Sequence, residues 1–321
     1  MDGFVAQATA PAHADFDASV FGVLAGLVRD EAVTDVFVNP GGAVWVDRGS
    51  GAEPEVSVVI PAAEARDLAV RLIAAGDRHL DEMTPAMDVR LGSGIRVHAV
   101  LPPISPGGAV ISIRIPRSRP FSLDELDAVG FFGPFGATAV RGLVSRRVNL
   151  LVTGAGGSGK TTLLGALLSS APPDERIVLV EDVAELRVDH PHVVALEARQ
   201  ANLDGAGAIG LDRLVRESLR MRPDRLVVGE CRGPELLELL SALNTGHDGG
   251  AGTVHANSLA DLPARLEALG ALAGMSIDAV ARQAVSAIGA VLHVERDDGG
   301  RRLAAMGRLE LDERGRLSVT S

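Results

Sequence analysis

The pattern of apolar and polar positions changes character part-way along the chain. Up to residue 116, short alternating runs separated by glycine and proline predict strands, with amphipathic helices at 16–29 and 61–75. The strands predicted there span 33–38, 43–47, 95–101 and 110–115, and the strand at 95–101 pairs with its predecessor across the turn at 92–94. We expect this part to form a small α+β domain.

Beyond residue 122, short apolar runs alternate with helical periodicity, which is typical of a parallel α/β sheet. The predicted strands span 148–153, 176–181, 192–197, 225–229 and 252–255, and the predicted helices span 160–170, 211–221, 233–243, 258–272 and 276–288. From about residue 289 the pattern favours antiparallel strands around the turn at 297–300. The stretch from Pro116 to residue 122 has no periodicity. The predicted organisation is therefore a domain at 1–116, a linker at 117–122 and a second domain at 123–321.

Composition and charge narrow the choice of partners. The chain has 42 Asp and Glu against 31 Lys and Arg, a net charge of -11, which disfavours nucleic-acid binding by counterion release. Eight Phe, one Trp and no Tyr leave few side chains for base stacking. A single cysteine, Cys231, excludes an internal disulfide and a Cys-rich zinc site.

The beginning of the chain carries no targeting signal. No Lys or Arg precedes Arg29, and no apolar run approaches the roughly 18 residues of a membrane span. We therefore expect neither a signal peptide nor a membrane span, and we expect the protein in the cytoplasm.

A glycine-rich segment between a predicted strand and a predicted helix fits the phosphate-loop pattern G-x-x-x-x-G-K-[ST]. It contains Lys160, the only lysine of the chain, since the other basic residues are all arginine. A site that needs a slim point charge on a flexible stem does not accept the planar guanidinium of arginine, so the composition itself singles out this residue. The glycines allow backbone N–H groups to surround phosphates at a helix N-terminus. Lys160 would contact the β- and γ-phosphates, and the Thr161 hydroxyl would hold Mg²⁺. The predicted nucleotide-binding residues are Gly154, Ala155, Gly156, Gly157, Ser158, Gly159, Lys160, Thr161 and Thr162.

Carboxylates follow two other predicted strands. Glu230 is placed to orient and deprotonate the attacking water. The preceding residue, Gly229, stands where phosphate-loop proteins usually have a Mg²⁺-linked aspartate. Glu181, Asp182 and Glu185 could supply that metal contact, directly or through water, or could be ordinary acidic residues of a loop.

Two histidines, His247 and His255, lie eight positions apart around a glycine-rich run. A zinc pair is one interpretation, but no third ligand has suitable spacing. Sensing of a γ-phosphate is favoured, because an imidazole N–H can bond a phosphate oxygen. A buried structural histidine is the remaining alternative.

Four segments occur in an order that resembles one known family. They are the phosphate loop, ERIVLVEDVAEL (175–186), LRMRPDRLVVGECRGPE (219–235) and TGHDGGAGTVHANS (245–258). They resemble the Walker A, Asp, Walker B and His boxes of the secretion ATPase superfamily of type II and type IV secretion and type IV pilus systems. The resemblance is greatest to the tight-adherence (Tad) pilus ATPases and their conjugal-transfer-associated relatives. VTDVFVN, RVHAVLPP and GGAVISIRI resemble the N-terminal domain of that family.

This resemblance implies a fold, an activity and partners. The fold would be a RecA-like P-loop domain of the α/β class with a smaller α+β N-terminal domain, and ATP with Mg²⁺ would bind between them. The chains would form hexameric rings that hydrolyse ATP and drive a pilus or secretion complex through its inner-membrane platform proteins. A nucleotide-gated switch with negligible turnover and a DNA-translocating conjugation motor are the alternatives.

The resemblance also assigns individual residues. Glu230 would be the Walker B glutamate, and Arg96 and Arg114 of the N-terminal domain would reach the γ-phosphate. The Asp box would contribute Glu181, Asp182 and Glu185 as catalytic or metal-binding carboxylates, and the His box would contribute His247 and His255. The family usually has serine or threonine where this chain has Gly250, Ala251 and Gly252, which suggests weaker phosphate sensing by that segment.

Overall fold

The computed structural model describes residues 17–49, 51–92, 94–116, 119–199, 207–297 and 299–321. Contacts within the chain divide it into two compact units, Met1–Arg119 and Pro120–Ser321. Residues 1–16 and residues 117 and 118 of the predicted linker lie outside the described residues.

The first unit is an antiparallel sheet with a helical layer on one face. Its elements are a 3₁₀-helix (Ala18–Leu24), α1 (Ala25–Arg29), β1 (Asp35–Val38), β2 (Ala43–Asp47), β3 (Ala52–Val59), α2 (Ala62–Ala75), β4 (Ala86–Leu91), β5 (Ile95–Val100) and β6 (Val110–Arg114). The six strands lie in the order β3-β2-β1-β6-β5-β4. Alternate side chains of the central strands, such as Val36, Val97 and Ile113, are buried in one cluster with Leu68 and Leu72 of α2. The α+β expectation is confirmed.

Two elements of this unit differ from the sequence-based expectation. The helix predicted at 16–29 is interrupted, because Gly22 has φ 54° and ψ -122°, which ends one helical segment and begins another. Strand β3 was not predicted. It is an edge strand that contains Pro54 and exposes most of its side chains, so it lacks the alternation that marks a half-buried strand.

The second unit alternates strands with helices. Its first half contains α3 (Leu123–Ala128), a 3₁₀-helix (Gly133–Phe135), α4 (Gly136–Ser145), β7 (Leu150–Gly154), α5 (Lys160–Ser169), β8 (Ile177–Glu181), β9 (Val193–Glu197) and α6 (Leu211–Ser218). Its second half contains a 3₁₀-helix (Leu219–Met221), β10 (Arg225–Val228), α7 (Glu235–Leu243), β11 (Ala251–His255), α8 (Leu262–Leu272), α9 (Ile277–Ala287), β12 (Ala290–Asp297), β13 (Gly300–Leu311) and β14 (Leu317–Thr320).

The eight strands of this unit form one sheet in the order β14-β13-β12-β7-β11-β10-β8-β9. The strands from β12 to β9 pair in parallel, whereas β13 and β14 join antiparallel. The prediction of a parallel α/β sheet is confirmed. Strand β12 departs from the prediction of antiparallel strands after about residue 289, since its pairing with β7 is parallel and only its pairing with β13 is antiparallel.

The phosphate-loop strand lies in the interior of this sheet. β7 is buried along its whole length between β12 and β11, and α5 buries Leu163, Leu164 and Leu167 against it. The carboxyl ends of parallel strands meet at one edge of a sheet, where ligands of open α/β folds bind. Among the described residues, none of the helices is both long and apolar enough to cross a membrane.

Candidate nucleotide-binding site

The loop between β7 and α5 has the shape that phosphate binding requires. Gly154 has φ 150°, and a Cβ there would lie 2.2 Å from the Val294 carbonyl oxygen, so only glycine fits. Gly159 has φ 106° and precedes the first turn of α5, where Thr161 and Thr162 are half-buried. The loop therefore presents the N-terminal end of a buried helix, with its unpaired N–H groups, at the carboxyl edge of the sheet.

Lys160 occupies the centre of this loop. Its side chain is buried, and its Nζ donates to the carbonyl oxygens of Gly154 at 2.9 Å and Ala155 at 2.8 Å. Burial lowers the pKa of Lys160, and the negative charge of Glu230 opposes that shift. The only lysine of the chain is thus held inside the phosphate loop and within electrostatic reach of the carboxylate predicted to be the base.

Glu230 follows β10 and contacts two partners. One carboxylate oxygen lies 2.6 Å from Nε2 of His255, and the other lies 2.5 Å from Nη2 of Arg232. Burial and the charge of Lys160 lower the pKa of His255, against the opposing effect of Glu230. The imidazole is therefore in close contact with the carboxylate, and Lys160 acts on both groups through its charge. The structure therefore brings together Lys160, Glu230 and His255, three residues that the sequence analysis singled out separately.

Glu181 is the last residue of β8, and its side chain lies beside Gly229, which follows the neighbouring strand β10. Its Oε1 accepts hydrogen bonds from the backbone N–H groups of Glu185 at 3.0 Å and Leu186 at 2.9 Å. A Cβ on Gly229 would lie 2.6 Å from Cγ of Glu181. This contact explains why glycine replaces the usual aspartate, because the Glu181 side chain fills that space. Burial raises the pKa of Glu181, while its two hydrogen bonds to backbone N–H groups hold the segment that follows β8.

The remaining carboxylates of the predicted Asp box surround Arg232. A hydrogen bond from Arg232 to Glu230 raises the pKa of the guanidinium, and the charges of Asp182 and Glu185 add to that effect. Within the described ranges, no group of three His, Cys, Asp or Glu side chains is arranged to hold a metal ion by itself. The oxygen donors present suit Mg²⁺, which proteins usually bind through one or two side chains together with the nucleotide phosphates.

The two histidines of the glycine-rich run are separated, which corrects the expectation that both sense phosphate. In the pairing of β11 with β7, Ala251 lies opposite Leu150 and His255 lies opposite Gly154. His247 precedes β11, so it lies at the other edge of the sheet, where its Nδ1 is 3.2 Å from the Ala242 carbonyl oxygen. A five-residue strand therefore stands between His247 and the phosphate loop of the same chain.

The glycines between these histidines serve packing. A Cβ on Gly250 would lie 2.4 Å from Cδ2 of Leu243, and a Cβ on Gly252 would lie 2.8 Å from Cδ2 of Leu239. Both positions are buried, and Gly252 is part of β11. Gly252 therefore lies in a strand packed tightly against α7, and Gly250 packs against the same helix just before that strand begins.

Arg96 and Arg114 are neighbours in the first unit. They face each other across β5 and β6, and Arg90 lies opposite Arg96 on β4. Their side chains lie on the sheet face opposite the buried cluster that contains α2, because Ile95, Val97 and Ile113 alternate with them and are buried. Three arginines therefore form a row across three adjacent strands.

Two contacts at the phosphate loop were not predicted from the sequence. His293 of β12 is buried, with Nδ1 2.8 Å from the Thr153 hydroxyl oxygen, and its pKa is lowered by burial first and then by the charge of Lys160. Its signal was a single polar residue within the apolar run of that strand. Arg301 of β13 donates from Nε to the Gly157 carbonyl oxygen at 3.0 Å, and no local pattern could have revealed a contact between residues so far apart in sequence.

A second unpredicted network lies at the opposite edge of the sheet. Arg225 is buried, donates to Glu175, and also donates to the carbonyl oxygens of Val144 at 2.9 Å and Gly249 at 3.2 Å. Asn149 accepts hydrogen bonds from the backbone of Gly249 and Gly250. The segment that carries His247 is therefore fixed by buried polar contacts, which are costly to break.

Comparison with known proteins identifies the family of the chain. The sequence model of the type II/IV secretion system protein family matches residues 19–294. The chain belongs to this family. The predicted resemblance to the secretion ATPases is therefore confirmed.

Relatives within the type II/IV secretion family cover most of the chain. A Mycobacterium tuberculosis protein named for conjugal transfer is 45% identical over 306 residues, which is 94% of this chain and 87% of that protein. The conjugal transfer protein TrbB of Rhizobium radiobacter is 32% identical over 286 residues, covering 88% and 85%. The X-ray structure of the Legionella pneumophila ATPase DotB matches with a TM-score of 0.62 at 17% identity, covering 95% of this chain and 80% of that one, which shows the shared fold.

Proposed function

We propose that the protein is the ATP-hydrolysing subunit of a ring motor. The motor would power a conjugal-transfer, type IV secretion or Tad-type pilus complex from the cytoplasmic face of a membrane. The observation that carries the proposal is the meeting of the buried Lys160 with Glu230 and His255 at the carboxyl edge of one parallel sheet. Membership of the type II/IV secretion family supports it.

The phosphate loop supplies nucleotide binding in this proposal. Backbone N–H groups from Gly157 to Thr162 bind the phosphates, and Lys160 exchanges its two carbonyl contacts for phosphate oxygens. Thr161, together with Asp182 or the second oxygen of Glu181, would hold Mg²⁺, which neutralises phosphate charge when it is bound. The contacts to phosphate therefore have to offset the loss of the two hydrogen bonds that Lys160 makes to the Gly154 and Ala155 carbonyls.

Glu230 is the proposed general base. It accepts the proton of the water molecule whose oxygen attacks the γ-phosphorus, while the bond from that phosphorus to the β-phosphate oxygen breaks and ADP leaves. His255 Nε2 contacts the carboxylate at 2.6 Å and limits its movement, and Arg232 stabilises its negative charge. A carboxylate has lone pairs on both oxygens, so these two partners leave room for a water molecule.

Glu230→Gln is expected to preserve ATP binding and to lower turnover about 10²–10⁴-fold, because the amide keeps the shape of the side chain but does not accept a proton. Phosphate release under steady-state conditions and the Kd of a non-hydrolysable ATP analogue measure the two effects. Glu185→Gln is the matched control, since it removes a carboxylate charge from the same group around Arg232. Loss of turnover in Glu185→Gln alone would make Glu185 the base.

DNA translocation is a second candidate, because the relatives at 45% and 32% identity are named for conjugal transfer. The net charge of -11 disfavours a direct grip on DNA. A motor that acts on the membrane proteins of a conjugal-transfer complex, without holding DNA itself, agrees with both the names of the relatives and the acidic charge of the chain. Adding DNA to the ATPase assay separates the two candidates, since a translocase is stimulated by its track.

The chain is expected to assemble into a hexameric ring when nucleotide is bound. Six copies of a 33.2 kDa chain give a particle of about 200 kDa. Light scattering with a non-hydrolysable ATP analogue measures this mass directly. A particle of monomer mass at high protein concentration with nucleotide bound would contradict the ring motor. The ATPase assay would then still test nucleotide hydrolysis at the site, independently of assembly.

A further inference from the structure

The hairpin of β12 and β13 extends past the edge of the sheet at which the phosphate loop lies. β12 pairs with β7 as far as His293, which faces Thr153, and then continues to Asp297. At the rise of an extended strand, this continuation projects about 13 Å. The backbone of the hairpin also lies directly against the loop, because the Val294 carbonyl oxygen fills the space where a Cβ on Gly154 would be.

Two consecutive arginines on β13 face in different directions. Arg302 donates to Glu295 and Asp297 at 2.9 Å each, so it joins the two strands of the hairpin. Arg301 instead donates from Nε to the Gly157 carbonyl oxygen at 3.0 Å. Its Cδ lies 3.3 Å from the position of a Cβ on Gly159, so the aliphatic part of the side chain rests on the loop as well.

The contact of Arg301 fixes the orientation of one peptide group. A planar trans peptide directs its C=O and its N–H to opposite sides. With the Gly157 oxygen bound from outside, the Ser158 N–H faces the interior, where it donates a hydrogen bond of 3.3 Å to the Ala155 carbonyl oxygen that Lys160 also contacts. Phosphate binding requires inward N–H groups, and beside flexible glycines at 156 and 157 the contact of Arg301 adds to that one hydrogen bond in opposing rotation of the peptide.

We propose that Arg301 is a positioning residue of the phosphate loop, which binds the Gly157 carbonyl from outside and so holds the Ser158 N–H facing the interior, where a nucleotide phosphate replaces the Ala155 carbonyl as its acceptor. The inference rests on the proposed binding of ATP at this loop. It makes the β12–β13 hairpin part of the nucleotide site, although the hairpin contributes none of the four family motifs.

The test compares Arg301→Ala with Arg302→Ala in the full chain. Arg301→Ala is expected to raise the Kd of ADP and of a non-hydrolysable ATP analogue about threefold to tenfold, and by the same factor for both, because the inward N–H serves a phosphate that they share. Hydrogen exchange of the segment 154–162 in the nucleotide-free protein should become faster. Arg302→Ala should change neither quantity, and Arg301→Lys, which keeps a donor on a long side chain, should recover most of the affinity.

Several results would overturn this role. A larger loss for the ATP analogue than for ADP, with unchanged exchange of the loop, would mean that the guanidinium acts on the phosphates by its charge. If the wild-type chain binds ATP and Arg301→Ala binds it with the same Kd, the positioning role of Arg301 is rejected and the proposed function stands. A wild-type chain that binds no nucleotide would reject the proposed function and the inference with it.

Discussion

Lys160→Met and Lys160→Ala are expected to reduce ATP hydrolysis to the background rate, a loss of at least about a hundredfold, because the charge that meets the β- and γ-phosphates is removed. Lys160→Arg is expected to fail as well. The space inside the loop, bounded by the Gly154 and Ala155 carbonyls, holds a single ammonium group, and a planar guanidinium is broader. Steady-state phosphate release measures the loss.

The same variants should leave the nucleotide-free fold intact. Burial lowers the pKa of Lys160, so the folded chain binds that proton less readily than the unfolded chain does. The charged lysine therefore reduces stability at every pH below its lowered pKa, and the penalty disappears as pH rises through its unfolded pKa. Lys160→Met keeps most of the side-chain volume without the charge, so its thermal midpoint at pH 7 should equal or exceed that of the wild type. A large drop in that midpoint, or near-normal turnover in Lys160→Arg, would contradict this account of the loop.

The parts of the fold that the sequence revealed are those with strong local signals. Strand β7, the glycine loop and helix α5 were predicted within a few residues, because an apolar run, a turn and a helical run follow one another without interruption. Helices α3 and α4 were not predicted, since Gly130, Gly133, Pro134 and Gly136 interrupt the helical periodicity between them. For β12, the antiparallel pairing with β13 was predicted and the parallel pairing with β7 was not, because periodicity does not distinguish parallel from antiparallel neighbours.

The candidate site was predictable as a set of residues but not as an arrangement. Glu230 and His255 were singled out separately, and the structure shows that they touch. His247 was grouped with His255 because one glycine-rich run joins them, whereas Gly250 and Gly252 are required for close packing against α7. Side chains that reach the site from distant strands, such as Arg301, depend on tertiary structure that no short pattern encodes.

The arginine row of the first unit suggests a target of opposite charge. Arg96 lies opposite Arg90 on one side and Arg114 on the other, so three guanidinium groups are gathered on one face of the sheet. Positive charge gathered in this way attracts anions. We propose that the anion is the γ-phosphoryl group of ATP, in keeping with the resemblance of this unit to the N-terminal domain of the family.

Arg96→Ala and Arg114→Ala are accordingly expected to lower kcat far more than they weaken nucleotide binding. The transition state of phosphoryl transfer spreads negative charge over the γ-phosphoryl oxygens, and an arginine brought to them is worth roughly 10³–10⁵ in rate. The Kd of a non-hydrolysable analogue should change much less, because Lys160 and the loop amides carry ground-state binding. Arg66→Ala is the matched control, since that arginine lies on α2 and makes an exposed ion pair of 3.8 Å with Glu82. The contrary result would be turnover within about twofold of wild type in both variants, in an assay in which Glu230→Gln does lower turnover. Catalysis would then be complete within the second unit, and the arginine row would serve a docking partner.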